Sequence, residues 1–252
     1  MILETAPLLQ ATRLCKSFSG FPVVKNVSFC VRHGEAVAII GPNGAGKSTL
    51  FDLLTGIKTP DSGEVHLFGQ PVTGEASWKR VKRGLGRSFQ VSSVFPSFTA
   101  QENIQIGLLL ASGLSLTFFS KASNRAKTQA EEILEKVGLT SKRSVLAGEL
   151  SYGDQRTLEL AVTLSTKPQL LLLDEPTAGM AREESRECLS LIKAIASKEN
   201  IPVVFVEHDM EVVFSFATRV IVLLAGELLI DAEPLVVRSD SRVRDAYFGE
   251  AI

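Results

Sequence analysis

The chain has 252 residues, 45% hydrophobic and 22% charged, the proportions of a globular protein with enough apolar surface for a sizeable core. Its 27 basic and 28 acidic residues leave a net charge of −1, so no global field directs it to nucleic acid or to a lipid surface. Cys15, Cys30 and Cys188, odd in number and without C-x-x-C spacing, exclude a disulfide framework and read as small buried hydrophobes of a reducing compartment.

The first ten residues carry Glu4 and lack a basic start, so they do not read as a secretory signal. Strand signals follow. Val27, Phe29 and Val31 alternate with Ser28 and Cys30, and Val65 and Leu67 alternate with Glu64 and His66. Pro60, Asp61, Ser62 and Gly63 are turn chemistry leading into the second of these. Between them Val37, Ala38, Ile39 and Ile40 form an apolar run that predicts a strand buried on both faces. A glycine-rich loop and a helix starting near Lys47 come next.

The longest uncharged stretch lies between Glu102 and Lys121. Its Asn103, Gln105, serines and glycines leave it short of the ~20 apolar residues that a spanning helix needs. Its apolar residues, Phe118 and Phe119 included, are expected to pack within a helical region, the alternative being an exposed patch that meets a membrane subunit. Ala126, Ala130, Ile133, Leu134 and Val137 recur at helical spacing, and Gly138 sits where that helix should stop. Leu170 to Leu173 and Val203 to Val206 read as buried strands, with Cys188, Leu191, Ile192 and Ile195 marking a helix face between them. That order is the sequence form of a parallel βαβ unit. From Arg219 to Ile230 two short strands flank Ala225 and Gly226, and a polar end follows. The whole predicts one α/β core with a helical insertion at residues 91–165.

Gly41, Pro42, Asn43, Gly44, Ala45, Gly46, Lys47, Ser48 and Thr49 fit G-x-x-x-x-G-K-[ST]. Glycines let backbone N–H groups wrap phosphate oxygens, and the helix start adds partial positive charge. Lys47 is placed to reach the β- and γ-phosphates and Ser48 to set its hydroxyl on Mg²⁺. Asp174 ends the leucine strand, where it can hold Mg²⁺ through water. Glu175 follows and can orient an attacking water. An apolar run ending in Asp-Glu is weak alone and gains weight from the phosphate loop. A lone histidine is more often structural. His208, however, ends the third buried strand, on the edge where open α/β sheets bind ligands. His33 and His66 read as surface residues. Leu150, Ser151, Tyr152, Gly153, Asp154 and Gln155 precede an amphipathic set, with Ser151 an N-cap candidate. By its physics alone this is either an ordinary helix start or a second anion site.

This last run resembles the signature motif of the ABC (ATP-binding cassette) family, L-S-x-G-x-Q, in the order that family shows: after the phosphate loop and before the acidic strand end. The likeness extends over residues 8–249. It implies a P-loop NTPase core with a mostly parallel sheet, an antiparallel β subdomain and a helical subdomain carrying the signature. Residues 8–90 and 166–249 would form the catalytic core and 91–165 the helical part. By resemblance, Gln90 in Ser88-Phe89-Gln90 is the Q-loop glutamine that contacts Mg²⁺ and water and senses a membrane subunit. Glu175 is the general base, His208 the switch histidine, and Phe18 the aromatic that stacks on adenine. Two cassettes would pair head to tail, each ATP lying between one phosphate loop and the partner's Ser151 and Gly153. ATP and Mg²⁺ are the implied cofactors. The implied partners are a second cassette, transmembrane permease subunits and, indirectly, a substrate-binding protein, at the cytoplasmic face of the inner membrane. One departure stands out: where many relatives carry an acid after the Asp-Glu pair, in the D-loop that crosses to the other subunit, this chain reads Ala178, Gly179, Met180, Ala181.

Ser88-Phe89-Gln90, Leu150-Ser151-Tyr152-Gly153, Thr177-Ala178-Gly179-Met180, Glu207-His208-Asp209-Met210 and the terminal Ala246-Tyr247-Phe248-Gly249-Glu250 resemble the branched-chain amino acid uptake ATPases and the related urea uptake group. The terminal run also occurs in the lipopolysaccharide-export ATPase. Against a translation factor or DNA-repair clamp stands the single cassette without a long coiled coil; against a P-loop kinase stands the signature motif.

Overall fold

The computed structural model describes residues 6–87, 94–112 and 119–248. Two sheets organise them. The first is antiparallel, built from β1 (Leu9–Phe18), β2 (Phe21–Val31), β4 (Ser62–Leu67) and β5 (Gln70–Pro71) in the order β2-β1-β4-β5. The alternation at Val27, Phe29 and Val31 lies in β2, and Val65 and Leu67 lie in β4. β1 escapes a period-two reading because its register shifts between Ala11 and Leu14, with Arg13 at φ 48°. The bulge lets Leu9, Ala11 and Leu14 all face inward although their spacing is not even.

The second sheet contains β3 (Ala36–Ile40), β6 (Leu85–Arg87), β7 (Leu170–Asp174), β8 (Val203–Val206), β9 (Arg219–Leu224) and β10 (Glu227–Ala232), ordered β10-β9-β3-β8-β7-β6. All its pairs are parallel except β9–β10. β3, β8 and β7 as far as Leu173 are apolar at every position because both faces are covered, and alternate residues go to different cores. Val37, Ile39, Leu170, Leu172, Val204 and Val206 face the antiparallel sheet and α1 (Lys47–Thr55). Ala38, Ile40, Leu171, Leu173, Val203 and Phe205 face the larger core. That core takes in α3 (Ala100–Ser112), α4 (Phe119–Lys136), α5 (Tyr152–Ser165), α6 (Arg182–Glu199) and α7 (Met210–Phe216). α2 (Ser77–Lys82) precedes β6, while α8 (Pro234–Ser239) and α9 (Ser241–Phe248) form the polar end. Gly138, at φ 75°, stops the chain just past α4.

Parallel register sets the site. Asp174 pairs with Val206, Val206 with Ile39, and Ile40 with Val222, so the carboxyl ends of β7, β8, β3 and β9 lie in one row. The phosphate-loop strand and the leucine strand share this edge as expected, with the His208 strand between them. Ile104 and Leu108 pack into the core while Leu110 is exposed; Phe118 lies outside the described residues. Cys188 is buried, Cys15 and Cys30 only half-buried, and His66 is half-buried in β4 where a surface position was expected.

Candidate active site

Residues 41–46 leave β3 and turn into α1. Glycine is required at both ends of this turn. A Cβ on Gly41 would stand 2.3 Å from the Leu223 carbonyl oxygen, and one on Gly46, at φ 96°, 2.5 Å from that of Val23. Gly46 caps α1 without a side-chain hydrogen bond, and the first turn holds no acid, so the helix start offers bare N–H groups to an anion. Lys47, 6% exposed, donates its ammonium to the carbonyls of Gly41 at 2.7 Å and Pro42 at 3.0 Å. Burial lowers its pKa, and the nearby Glu175 charge opposes that. Ser48 is exposed.

Across the edge, Glu175 takes φ 48°, a left-handed conformation that costs a non-glycine residue roughly 1 kcal/mol and is a common mark of functional sites. Its N–H donates to Val206 O at 3.0 Å, which extends the β7–β8 pairing by one residue. Its Oε1 lies 2.6 Å from Nε2 of His208, whose ring is 49% exposed. Asp174 is buried beside this pair. Desolvation raises its pKa from 3.8 to about 6, helped by the Glu175 charge and opposed by Arg87 and His208. Lys47, Asp174, Glu175 and His208 are therefore gathered at one strand edge, each within electrostatic reach of a neighbour. Among the described residues no three His, Cys, Asp or Glu side chains assemble into a metal cage.

Ser151 caps α5: its hydroxyl accepts from Asp154 N–H at 3.2 Å and donates to the Asp154 carboxylate at 2.6 Å. Lys142 pairs with the same carboxylate. Gln155 donates to Leu150 O at 3.1 Å, which locks the turn. Phe18, at the end of β1, is 41% exposed, with the ammonium groups of Lys16 and Lys58 5.7 and 5.8 Å from its ring centroid. Gln90 lies outside the described residues.

A family model described as "ABC transporter" matches residues 24–178. The chain belongs to the ABC transporter family. BraF, the high-affinity branched-chain amino acid transport ATP-binding protein of Pseudomonas aeruginosa, is 36% identical over 97% of this cassette and 99% of its own length. The ADP conformation of MJ1267, an ATP-binding cassette of an ABC transporter, superposes with a TM-score of 0.87 at 29% identity, covering 97% of this chain and 100% of that one. The dimeric cassette MJ0796, in a post-hydrolysis state bound to ADP and Pi, gives a TM-score of 0.77 at 26% identity over 90% and 98%.

Three further groups border the cassette's site. Glu207, 4% exposed, accepts from Thr177 N–H at 3.1 Å, from the Thr177 hydroxyl at 2.6 Å and from His208 N–H at 3.2 Å. It ties the loop after β7 to the one after β8, and an acid one residue before the histidine was its only sequence signal. Arg87, buried at the end of β6, lies 3.5 Å from Asp52 on α1 and lowers the pKa of Asp174. Tyr247 of α9 meets the Gly41 backbone; burial pushes its phenol up to about 12, against that hydrogen bond. Nothing in local sequence links residue 247 to residue 41.

Proposed function

We propose that the chain is the ATP-hydrolysing subunit of an importer, probing ATP with the strand edge described above and driving uptake of branched-chain amino acids. The observation that carries the hydrolytic reading is the 2.6 Å contact between Glu175 and His208 beside the Lys47 loop. A carboxylate and an imidazole held together at the mouth of a phosphate loop can orient a water and hold its proton. The likeness to BraF over nearly the full length of both proteins supports the amino acid assignment.

In this reading the N–H groups of residues 43–49 wrap the phosphates, and Lys47 exchanges its loop carbonyls for phosphate oxygens. Phe18 stacks on adenine, where the lysines beside it suit a nucleotide. Glu175 is the general base, and His208 holds it and the γ-phosphate in line. The donor set fits Mg²⁺, which favours few protein ligands plus phosphates and water: the Ser48 hydroxyl, the Asp174 carboxylate and Gln90 would hold it. Bound there, it would neutralise charge developing on the phosphates.

Ser151 and Gly153 complete the site of a second copy, as a dimeric relative allows. Residues 8–90 and 166–249 act as the catalytic core and 91–165 as a helical part that carries the signature. The permease docks on the face where Phe95 and Phe98 form an edge-to-face pair at 5.8 Å and, with Leu146, stay exposed. Among the described residues no helix is long and apolar enough to cross a membrane, which suits a subunit that works at the cytoplasmic face through such partners.

Glu175→Gln is the test. It should bind ATP with wild-type affinity, lose turnover by at least about a hundredfold and accumulate as an ATP-bound dimer. Phosphate release at the wild-type rate from that variant would overturn the base assignment.

A further inference from the structure

Tyr152 opens α5 between Ser151 and Gly153. Its side chain is 46% exposed, yet its hydroxyl is fully engaged. The O–H donates to Ala178 O at 2.9 Å and accepts from Nη2 and Nε of Arg156 at 2.8 and 3.1 Å. Arg156 is held in turn by buried Glu159 at 2.9 Å. The ring lies against Gly179, at φ 79°, where an added Cβ would come within 3.1 Å of the Tyr152 oxygen.

The loop that Tyr152 grips is fastened at both ends. Ala181 N–H donates to Glu184 at 3.1 Å, and Thr177 donates twice to Glu207. Glu207 also receives His208 N–H, and His208 contacts Glu175. A run of polar contacts and short backbone links thus joins the start of α5 to the Glu175–His208 pair inside one chain. It passes through a loop whose own side chains, Ala178, Gly179, Met180 and Ala181, offer no polar group.

We infer that the Tyr152 hydroxyl is a positioning group that couples the two ATP sites of a dimer. The inference rests on the head-to-tail reading above. There, the start of α5 faces the partner's nucleotide, whereas Glu175 and His208 face the chain's own. Movement of α5 as it closes on the partner's phosphate pulls Ala178 and, through Thr177 and Glu207, resets the His208 backbone. Coupling of this kind is a free-energy difference between two arrangements of one connected element, so cutting the connection uncouples the sites and leaves both in existence. Arg156 fixes the direction of the hydroxyl, since both of its donors occupy the oxygen's acceptor side.

Tyr152→Phe keeps the ring against Gly179 and removes only the hydroxyl. Phosphate release from MgATP is measured on the full-length chain at concentrations that sustain the dimer. The wild type should hydrolyse cooperatively, and the variant's Hill coefficient should fall to about 1. Hydrogen exchange at the amides of residues 178–180 in the nucleotide-free variant should quicken about tenfold or more, a readout independent of turnover. A lower rate with unchanged cooperativity would mean a merely structural role and would overturn the coupling, as would a non-cooperative wild type. Absence of any phosphate release from the wild type would instead remove the ATPase reading itself.

Discussion

Asp174 shows how one side chain carries both function and cost. Its carboxylate is buried at the end of an apolar strand next to Glu175, and its pKa rises from 3.8 to about 6. A raised acid destabilises the folded state as the unfolded chain ionises: the penalty builds from about pH 4, is complete above about pH 6 and disappears below about pH 3, where folded and unfolded chains are both protonated. Asp174→Asn should therefore stabilise the nucleotide-free chain by about 2–3 kcal/mol at pH 7.5 and by almost nothing at pH 3. Thermal melts at the two pH values check this, and an equal gain at both would refute the charge explanation. The same burial suits the proposed role of Asp174 in holding Mg²⁺. Asp174, Glu175 and His208 stood out in the sequence because they follow buried strands in a chain that also carries a phosphate loop, although each is a weak signal alone. Tyr247 and Glu207 were not. Their partners lie 206 and 30 residues away, so only packing brings them to Gly41 and Thr177.

At the scale of elements, the phosphate-loop helix is held from behind by a buried cation. Arg80 of α2 is fully buried and donates to five backbone carbonyls: Leu53 and Leu54 in the last turn of α1, at 2.8 and 2.7 Å, Val72 and Thr73 at 2.7 and 3.1 Å, and Glu75 at 3.1 Å. Desolvation lowers its pKa to about 10, with Glu75 opposing. Helix ends leave carbonyls without intrahelical partners, and this guanidinium satisfies two of them while it joins α1 to the β4–β5 region. Arg80→Met should cost about 3–5 kcal/mol, because several buried acceptors lose their donor at once. Arg80→Lys should recover only part of that, as an ammonium cannot span the same fork. Urea unfolding measures both, and a loss under 1 kcal/mol for the methionine variant would show that water replaces the side chain. Periodicity announced β2, β3, β4, β7, β8 and α4 because each buries one face or two in regular alternation. It missed β1 because the bulge at Arg13 breaks that alternation, and it gave no hint of Arg80, whose surroundings come from three separate segments.

At the scale of the molecule, each chain of the proposed head-to-tail dimer carries two different half-sites. Lys47→Ala damages the phosphate-loop half and Gly153→Asp the signature half, where an added carboxylate would stand near Glu184 and face phosphate. Each variant alone should be inactive. Mixed in equal amounts, half of the dimers would be hybrids, and each hybrid would own one undamaged composite site, so hydrolysis should return, to about a quarter of the wild-type rate for independent sites and to less than that for coupled ones. No recovery on mixing, under conditions where hybrids form, would contradict the head-to-tail pairing.

By itself the sequence determined the chemistry and the class of the fold: a phosphate loop, an acid pair, a late histidine and a signature run in family order, set among apolar stretches long enough for buried strands. These are local signals, because turn geometry and strand burial constrain neighbouring residues directly. The tertiary structure decided what depends on distance along the chain. It inserted β8 between β3 and β7, brought His208 within 2.6 Å of Glu175, and seated Tyr152 on the loop that follows β7. Strand order and hydrogen-bond partners are set by which faces can be buried together over the whole chain, and no window of sequence contains that sum.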